Sequence, residues 1–292
     1  MNVEAPAQTV APALEPAGDT RDGEGVEAAG PTLSPSRAAD FMTCPLLYRF
    51  RTIDRLPEPP SPAATRGTIV HAVLEQLFDL PAGERTVQRA AALVAPVWEQ
   101  LVEAEPDLAA LFDDDQDGSA LAEWIHGAEE LVRCYFTLED PPRLEPAERE
   151  LYVETVLDSG LRLRGYVDRV DRASATGDLR VVDYKTGKAV PRVDAMADDL
   201  QLATYHLAAS KDPLLNALGP PTQLHLLYLR RMEVREQEVR PDHAEVTEGR
   251  ILSTAERILA EEFEPSAAAD CDHCDFHRLC PLWPEGREVG ES

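Results

Sequence analysis

Residues 165–188 read GYVDRVDRASATGDLRVVDYKTGK. Two β-rich runs, GYVDRV and LRVVDYK, flank Ser174-Ala175-Thr176-Gly177, so the stretch predicts a β-hairpin. Asp168 lies in the first run and Asp183 in the second, equidistant from the centre of the turn. A symmetric hairpin sets them opposite each other, with Cβ atoms about 4.5–5.5 Å apart. Two like charges at that spacing repel unless a cation lies between them. A hard divalent ion such as Mg²⁺ or Mn²⁺, held by carboxylate oxygens, supplies that charge. Lys185 is two residues beyond Asp183, on the same face of the strand. Carboxylates, a divalent cation and a lysine are the parts needed for metal-assisted phosphodiester hydrolysis: the metal activates water, and the lysine orients it or stabilises developing charge. The competing reading is a solvated hairpin with one surface ion pair, because Asp-x-Lys on a strand is common by itself.

Working outward, ELYVETVL (150–157) is a third β-rich run, separated from the hairpin by Asp158-Ser159-Gly160. A helix is expected at 198–210 (DDLQLATYHLAAS), strands near 222–230 and 233–239, and a long helix near 242–262. Upstream the pattern is helical. Ser34 is a natural N-cap with Pro35 at the first helical position, and Cys44-Pro45 closes that helix. LPEPPSPAA (56–64) reads as a connector, and RGTIVHAVLEQLFDL as an amphipathic helix with Ile69, Val73, Leu77 and Leu80 near one face. Segments 86–104 and 118–138 also read as helices, separated by acidic residues 113–117, which lack the spacing of a calcium loop. The expected fold is α/β (α+β): a small mixed sheet flanked by helices, with a helical N-terminal section. Residues 1–31, rich in Ala, Pro, Gly and acids, are expected to be a disordered acidic tail. One domain then covers 32–283, with a helical section to about 145, a catalytic core at about 148–262 and a cysteine-rich segment at 270–283. A flexible tail, 284–292, follows.

The order GYVDRVD, turn, VVDYKTGK, then QLATYHLA resembles the PD-(D/E)xK nuclease superfamily, with its restriction-endonuclease-like core, and within it the RecB-type exonuclease branch. The resemblance covers 33 to about 283. It implies that Asp168, Asp183 and the Tyr184 carbonyl bind Mg²⁺ or Mn²⁺, and that Lys185 assists the attacking water. It further implies that Gln201 and Tyr205, one helical turn apart, position the lysine or the phosphate. GTIVHAVLE matches the family's upstream helix and makes His71 a metal ligand; on its own merits His71 reads as a packed helix histidine. Glu150, or with less support Glu154, is the glutamate of the first strand, a further contact to the metal site. The activity implied is a metal-dependent deoxyribonuclease, an exonuclease on single-stranded or end-exposed DNA in repair or recombination. The alternative is a noncatalytic or partner-dependent nucleic-acid-binding module that kept the fold.

Cys271, Cys274 and Cys280 have the spacing C-x₂-C-x₅-C, which presents thiolates to one metal centre. A fourth ligand could come from His273, His277 or the distant Cys44, which like Cys280 precedes a proline. The family resemblance favours Cys44 and a [4Fe–4S] cluster that ties the ends of the domain together, with zinc as the alternative. Cys134 fits no motif and is expected to be a buried helix residue.

The chain holds 54 acidic and 28 basic side chains in 292 residues, a net charge of −26. That argues against nonspecific coating of nucleic acid or an anionic membrane. The charge is uneven: residues 99–150 carry sixteen acids and three arginines, whereas 160–192 carry eight bases and four acids. Only three of the basic residues are lysines, Lys185, Lys188 and Lys211. Arg37, Arg49 and Arg66 are candidate contacts to DNA; Trp98, Trp124 and Trp283 read as packing residues. No run of 18 apolar residues and no signal peptide appear, which predicts a cytoplasmic protein. No P-loop is present, so any unwinding falls to a separate helicase or repair protein.

Overall fold

The computed structural model describes residues 32–115, 117–172, 177–188, 207, 221–238, 243–269, 271–272 and 274–283. The acidic N-terminal tail, the C-terminal tail and most of the expected helix at 198–210 lie outside these residues.

The helices begin where their caps dictate. In α1 (Pro35–Thr43) the Ser34 hydroxyl accepts from the Arg37 N–H at 3.3 Å, with Pro35 in the first turn. Cys44 ends it, and α2 (Pro45–Tyr48) runs into one π-helical turn at Arg49–Ile53. Helix α3 (Pro62–Leu77) starts earlier than its apolar periodicity suggests. Ser61 caps it and Pro62 occupies its first turn, so the expected connector supplies helix. Proline is tolerated there because its missing N–H would have no partner anyway. Helix α4 (Val87–Ala104) is capped by Thr86. The acidic loop serves α5 (Ser119–Leu138): Asp117 accepts from the Ser119 N–H at 3.0 Å and Asp115 from the Leu121 N–H at 2.8 Å. Carboxylates at that end also suit the helix dipole.

Helices α3, α4 and α5 bury Val73, Leu77, Val94, Trp98, Trp124 and Leu131 in one core, which continues onto the sheet through Val182, Tyr184 and Leu227. Trp98 and Trp124 meet edge to face at 5.1 Å, the packing role expected of them.

The sheet contains β1 (Thr32–Leu33), β2 (Pro146–Val156), β3 (Arg162–Arg172), β4 (Leu179–Lys185), β5 (Pro221–Tyr228) and β6 (Glu233–Glu238). Strand β3 pairs antiparallel with β2 and, at its C-terminal end, with β4, while β4 and β5 run parallel and β5 and β6 antiparallel. The mixed sheet is the expected one. The parallel step requires a long crossover, here residues 186–220, of which 186–188 and Leu207 are described; Leu207 is buried against α1 and α6 (His243–Leu259). Strand β1 was not anticipated. It adds parallel to the start of β3, and two residues are too few to show a period.

Candidate active site

The paired register of the β3–β4 hairpin runs from Arg172↔Leu179 to Arg169↔Val182. One further step sets Asp168 beside Asp183, as the symmetry of the turn requires. There the ladder gives way to a side chain: the Tyr184 N–H donates to Asp168 Oδ2 at 2.7 Å. On the other side of β3, the pairs Arg149↔Arg169 and Leu151↔Val167 bring Glu150 level with Asp168. Three carboxylates therefore form a row across three neighbouring strands. Glu150 holds φ at +43°, a left-handed conformation that costs a non-glycine residue about 1–3 kcal/mol.

Helix α3 completes the site. His71 Nδ1 lies 3.5 Å from Asp168 Oδ1, and Nε2 lies 3.0 Å from the Tyr184 carbonyl. The His71 ring also meets the Tyr184 ring edge to face at 5.7 Å. One donor atom each from His71, Glu150 and Asp168 fall within 4.8 Å of one another. Asp183 is only 2% exposed, and Lys185 Nζ reaches its Oδ2 at 2.8 Å. The grouping thus differs from the sequence expectation in detail. Glu150 joins the tightest set of donors, the Tyr184 carbonyl faces His71, and Asp183 is engaged by Lys185. Glu154, the less favoured glutamate, lies elsewhere, bonded to Tyr152 and Arg162.

Electrostatics shows how strongly the cluster concentrates acidic groups. Burial pushes the Glu150 carboxyl up to about 8, and neighbouring Asp168 adds to the rise. Asp183 is likewise raised by burial and by Asp168, with Lys185 opposing. Burial disfavours a charged His71, but the hydrogen-bonded Asp168, with Asp183 and Glu150 behind it, outweighs that and raises the ring to about 9. The site therefore retains protons where carboxylates would ordinarily be bare. A divalent cation would take the place of those protons, so the donor set suits a metal such as Mg²⁺ or Mn²⁺.

Behind the row is a buried ion network that the sequence did not disclose. Arg169 is fully buried and forks onto Glu139 (2.7 and 2.8 Å) and Asp171 (2.9 and 3.0 Å). It also reaches the hydroxyls of Tyr135 (3.0 Å) and Tyr184 (2.7 Å). The positive balance of 160–192 is thus partly internal. A charged residue at a core position gives no local periodic signal, and its partner Glu139 comes from the distant end of α5.

Gln201 and Tyr205 lie outside the described residues. The arginines proposed to touch DNA lie on three elements: Arg37 on α1, Arg49 in the π-helical turn and paired with Asp54 at 3.1 Å, and Arg66 on α3, stacked over Trp124 at 5.5 Å.

Cys44, Cys271, Cys274 and Cys280 come together around one mainly apolar cavity of about 40 Å³, with Phe50 and Phe276 among its walls. The Ser266 N–H donates to the Cys44 sulfur at 3.4 Å. His277 is bonded through Nε2 to the Cys271 carbonyl and packs against Trp283 at 4.1 Å, and His273 lies outside the described residues. Cys134 is half-buried on α5 rather than fully enclosed.

A mixed sheet flanked by helices, with acids and a lysine gathered at a central hairpin, defines a metal-dependent phosphodiesterase of the nuclease class. Residues 32–281 match the PD-(D/E)XK nuclease superfamily, and the chain belongs to it. Members of this superfamily use divalent metals. The chain is 27% identical over 275 residues to the Gene 69 protein of Mycobacterium phage D29, covering 87% of this chain and 97% of the phage protein. Among solved structures, a protein of Eubacterium rectale described as a candidate exonuclease aligns with a TM-score of 0.49 at 14% identity, covering 83% of this chain and 86% of that one. SSO0001 aligns with a TM-score of 0.38 at 16% identity, covering 86% of each chain. Among the described residues no helix is long and apolar enough to cross a membrane.

Proposed function

We propose that the protein is a RecB-type deoxyribonuclease that works as an exonuclease on single-stranded or end-exposed DNA in repair or recombination. The observation that carries the catalytic reading is the row Glu150–Asp168–Asp183, closed by His71 on one side and Lys185 on the other. His71, Asp168, Asp183 and the Tyr184 carbonyl hold Mg²⁺ or Mn²⁺, with Glu150 as a further oxygen donor. The bound ion lowers the pKa of water and neutralises charge developing on the phosphate. Asp183 anchors Lys185 at 2.8 Å, so the ammonium is presented to the attacking water rather than left to wander. His71 holds the Tyr184 carbonyl, and the Tyr184 N–H holds Asp168, which fixes the row before substrate arrives. Gln201 and Tyr205 position the lysine or the phosphate. Attack is in line, and the ester oxygen leaves with a proton from solvent.

The four thiols on one cavity support a [4Fe–4S] cluster held by Cys44, Cys271, Cys274 and Cys280, which joins the ends of a single domain spanning 32–283. With His277 occupied by a backbone carbonyl, Cys44 is the better fourth ligand. A cluster held by thiolates suits a reducing cytoplasm. Unwinding is left to a separate helicase. End-labelled single- and double-stranded DNA, incubated with each metal, tests the activity directly. Loss of ladder or mononucleotide products from the Asp183→Asn protein supports the site, and undiminished cleavage overturns it.

A further inference from the structure

Sixteen of the chain's aromatic residues lie within the described residues, and of these Tyr152 and Tyr166 are the most exposed, at 43% and 49%. They are direct cross-strand partners on β2 and β3, with ring centroids 5.3 Å apart. Each is two residues from a carboxylate of the site: Tyr152 from Glu150, Tyr166 from Asp168. Tyr166 and Asp168, two apart on β3, share a face and lie about 7 Å from each other, and Tyr152 is placed beside them by its pairing with Tyr166. The other side of this hairpin, Val153 and Val167, is buried in the core. The ring pair therefore stands on the face opposite Val153 and Val167, at a solvent-exposed part of it, one pleat repeat from the acid row. The Tyr152 hydroxyl donates to Glu154 at 2.5 Å, which restrains that ring. Paired rings offer a flat apolar surface with exposed π-faces beside the acids.

We propose that Tyr152 and Tyr166 form a stacking platform for an unpaired nucleobase of the strand being cut, adjacent to the phosphate bound at Asp168. The proposal rests on the nuclease reading of that site and adds a cause of strand preference. A base can lie on the rings only when it is free of its partner, and every base offers a π-face, so the platform selects single strands without selecting sequence. The span from acid row to ring pair is comparable to one nucleotide of extended chain.

The test uses the full-length protein and an end-labelled single-stranded oligonucleotide, with abasic residues placed in turn on either side of the cleaved bond. Tyr152→Thr and Tyr166→Thr remove the rings but keep a residue suited to strands. The double variant is expected to raise KM about 10-fold, with a smaller effect on kcat, and Phe at both positions to restore it. In the wild type, removing the base at one position raises KM by a similar factor, whereas in the double Thr variant it adds nothing. Unchanged KM, or penalties from abasic residue and Thr substitutions that simply multiply, overturns the platform. Failure of the nuclease reading looks different: the wild type then leaves every substrate intact with either metal, or Asp183→Asn cuts as well as it does.

Discussion

The main-chain N–H of Tyr184 donates to Oδ2 of Asp168 at 2.7 Å, at the point where the β3–β4 ladder ends. A carboxylate of the proposed metal site is thereby tied to the backbone between Asp183 and Lys185. Replacing Asp168 or Asp183 with Asn keeps the shape and removes the charge. Cleavage is expected to fall on the order of 10³-fold, read from end-labelled DNA with Mg²⁺ or Mn²⁺. A protein that keeps a tenth or more of wild-type rate would remove these residues from the site.

Lys185 pairs with Asp183 at 2.8 Å, and in the proposed mechanism it acts on water rather than binding the ion. Lys185→Met should therefore lose cleavage while Mn²⁺ still binds, as followed by calorimetry. Equal loss of metal affinity and rate would make the lysine a structural counter-ion to Asp183 instead.

Stability without metal should depend on pH in a defined direction. Glu150 titrates near 8 against an ordinary 4.5, so the folded state keeps a proton that the unfolded chain releases earlier. Its burial is penalised increasingly as pH rises from 4.5 to about 8. His71, raised from 6.5 to about 9, contributes stability that is complete below 6.5 and lost as pH climbs through 9. Both push the same way, so in EDTA the urea midpoint should decline from about pH 6 to about pH 8.5. Glu150→Gln should flatten part of that decline, and added Mn²⁺ should oppose it. An unchanged slope in Glu150→Gln would contradict the assignment.

Arg169→Met isolates the network behind the row. It leaves Glu139 and Asp171 buried without their cation, a loss expected at about 3–5 kcal/mol by urea denaturation. A change below about 1 kcal/mol would show that water reaches these acids.

Removing one cysteine of the proposed cluster should release iron as well as lower stability. Cys280→Ser is expected to lose absorbance near about 400 nm and acid-labile sulfide. Stoichiometric zinc with no iron in the wild type would replace the cluster with a zinc site.

How much of this was legible depended on distance along the chain. The Asp168–Asp183 juxtaposition could be read because a turn fixes register and strands alternate. Helices α3, α4 and α5 showed their apolar period, although only the cap at Ser61 reveals where α3 starts. Arg169 could not be assigned, because a charge in a strand looks solvated until Glu139, Tyr135 and Tyr184 are brought around it. Glu150 was identified as a candidate, but its left-handed backbone, and with it its place among the donors, follows from packing across β3. Tyr152 and Tyr166 were unremarked for a related reason: aromatics are ordinary in strands, and only the fold shows which face they take.

The contact between Cys44 and Ser266 has a consequence for biogenesis. It closes a loop of 222 residues, an entropic burden of about 5 kcal/mol beyond a constant offset. Synthesis runs from the N-terminus, so Cys44 meets Ser266 long after the earlier partners of α1's neighbourhood, Leu157, Leu161 and Leu163, have left the ribosome. His71, Glu150, Asp168, Asp183 and Lys185 are all translated well before that closure. Maturation, rather than translation of the reactive residues, then sets the moment at which the domain is sealed.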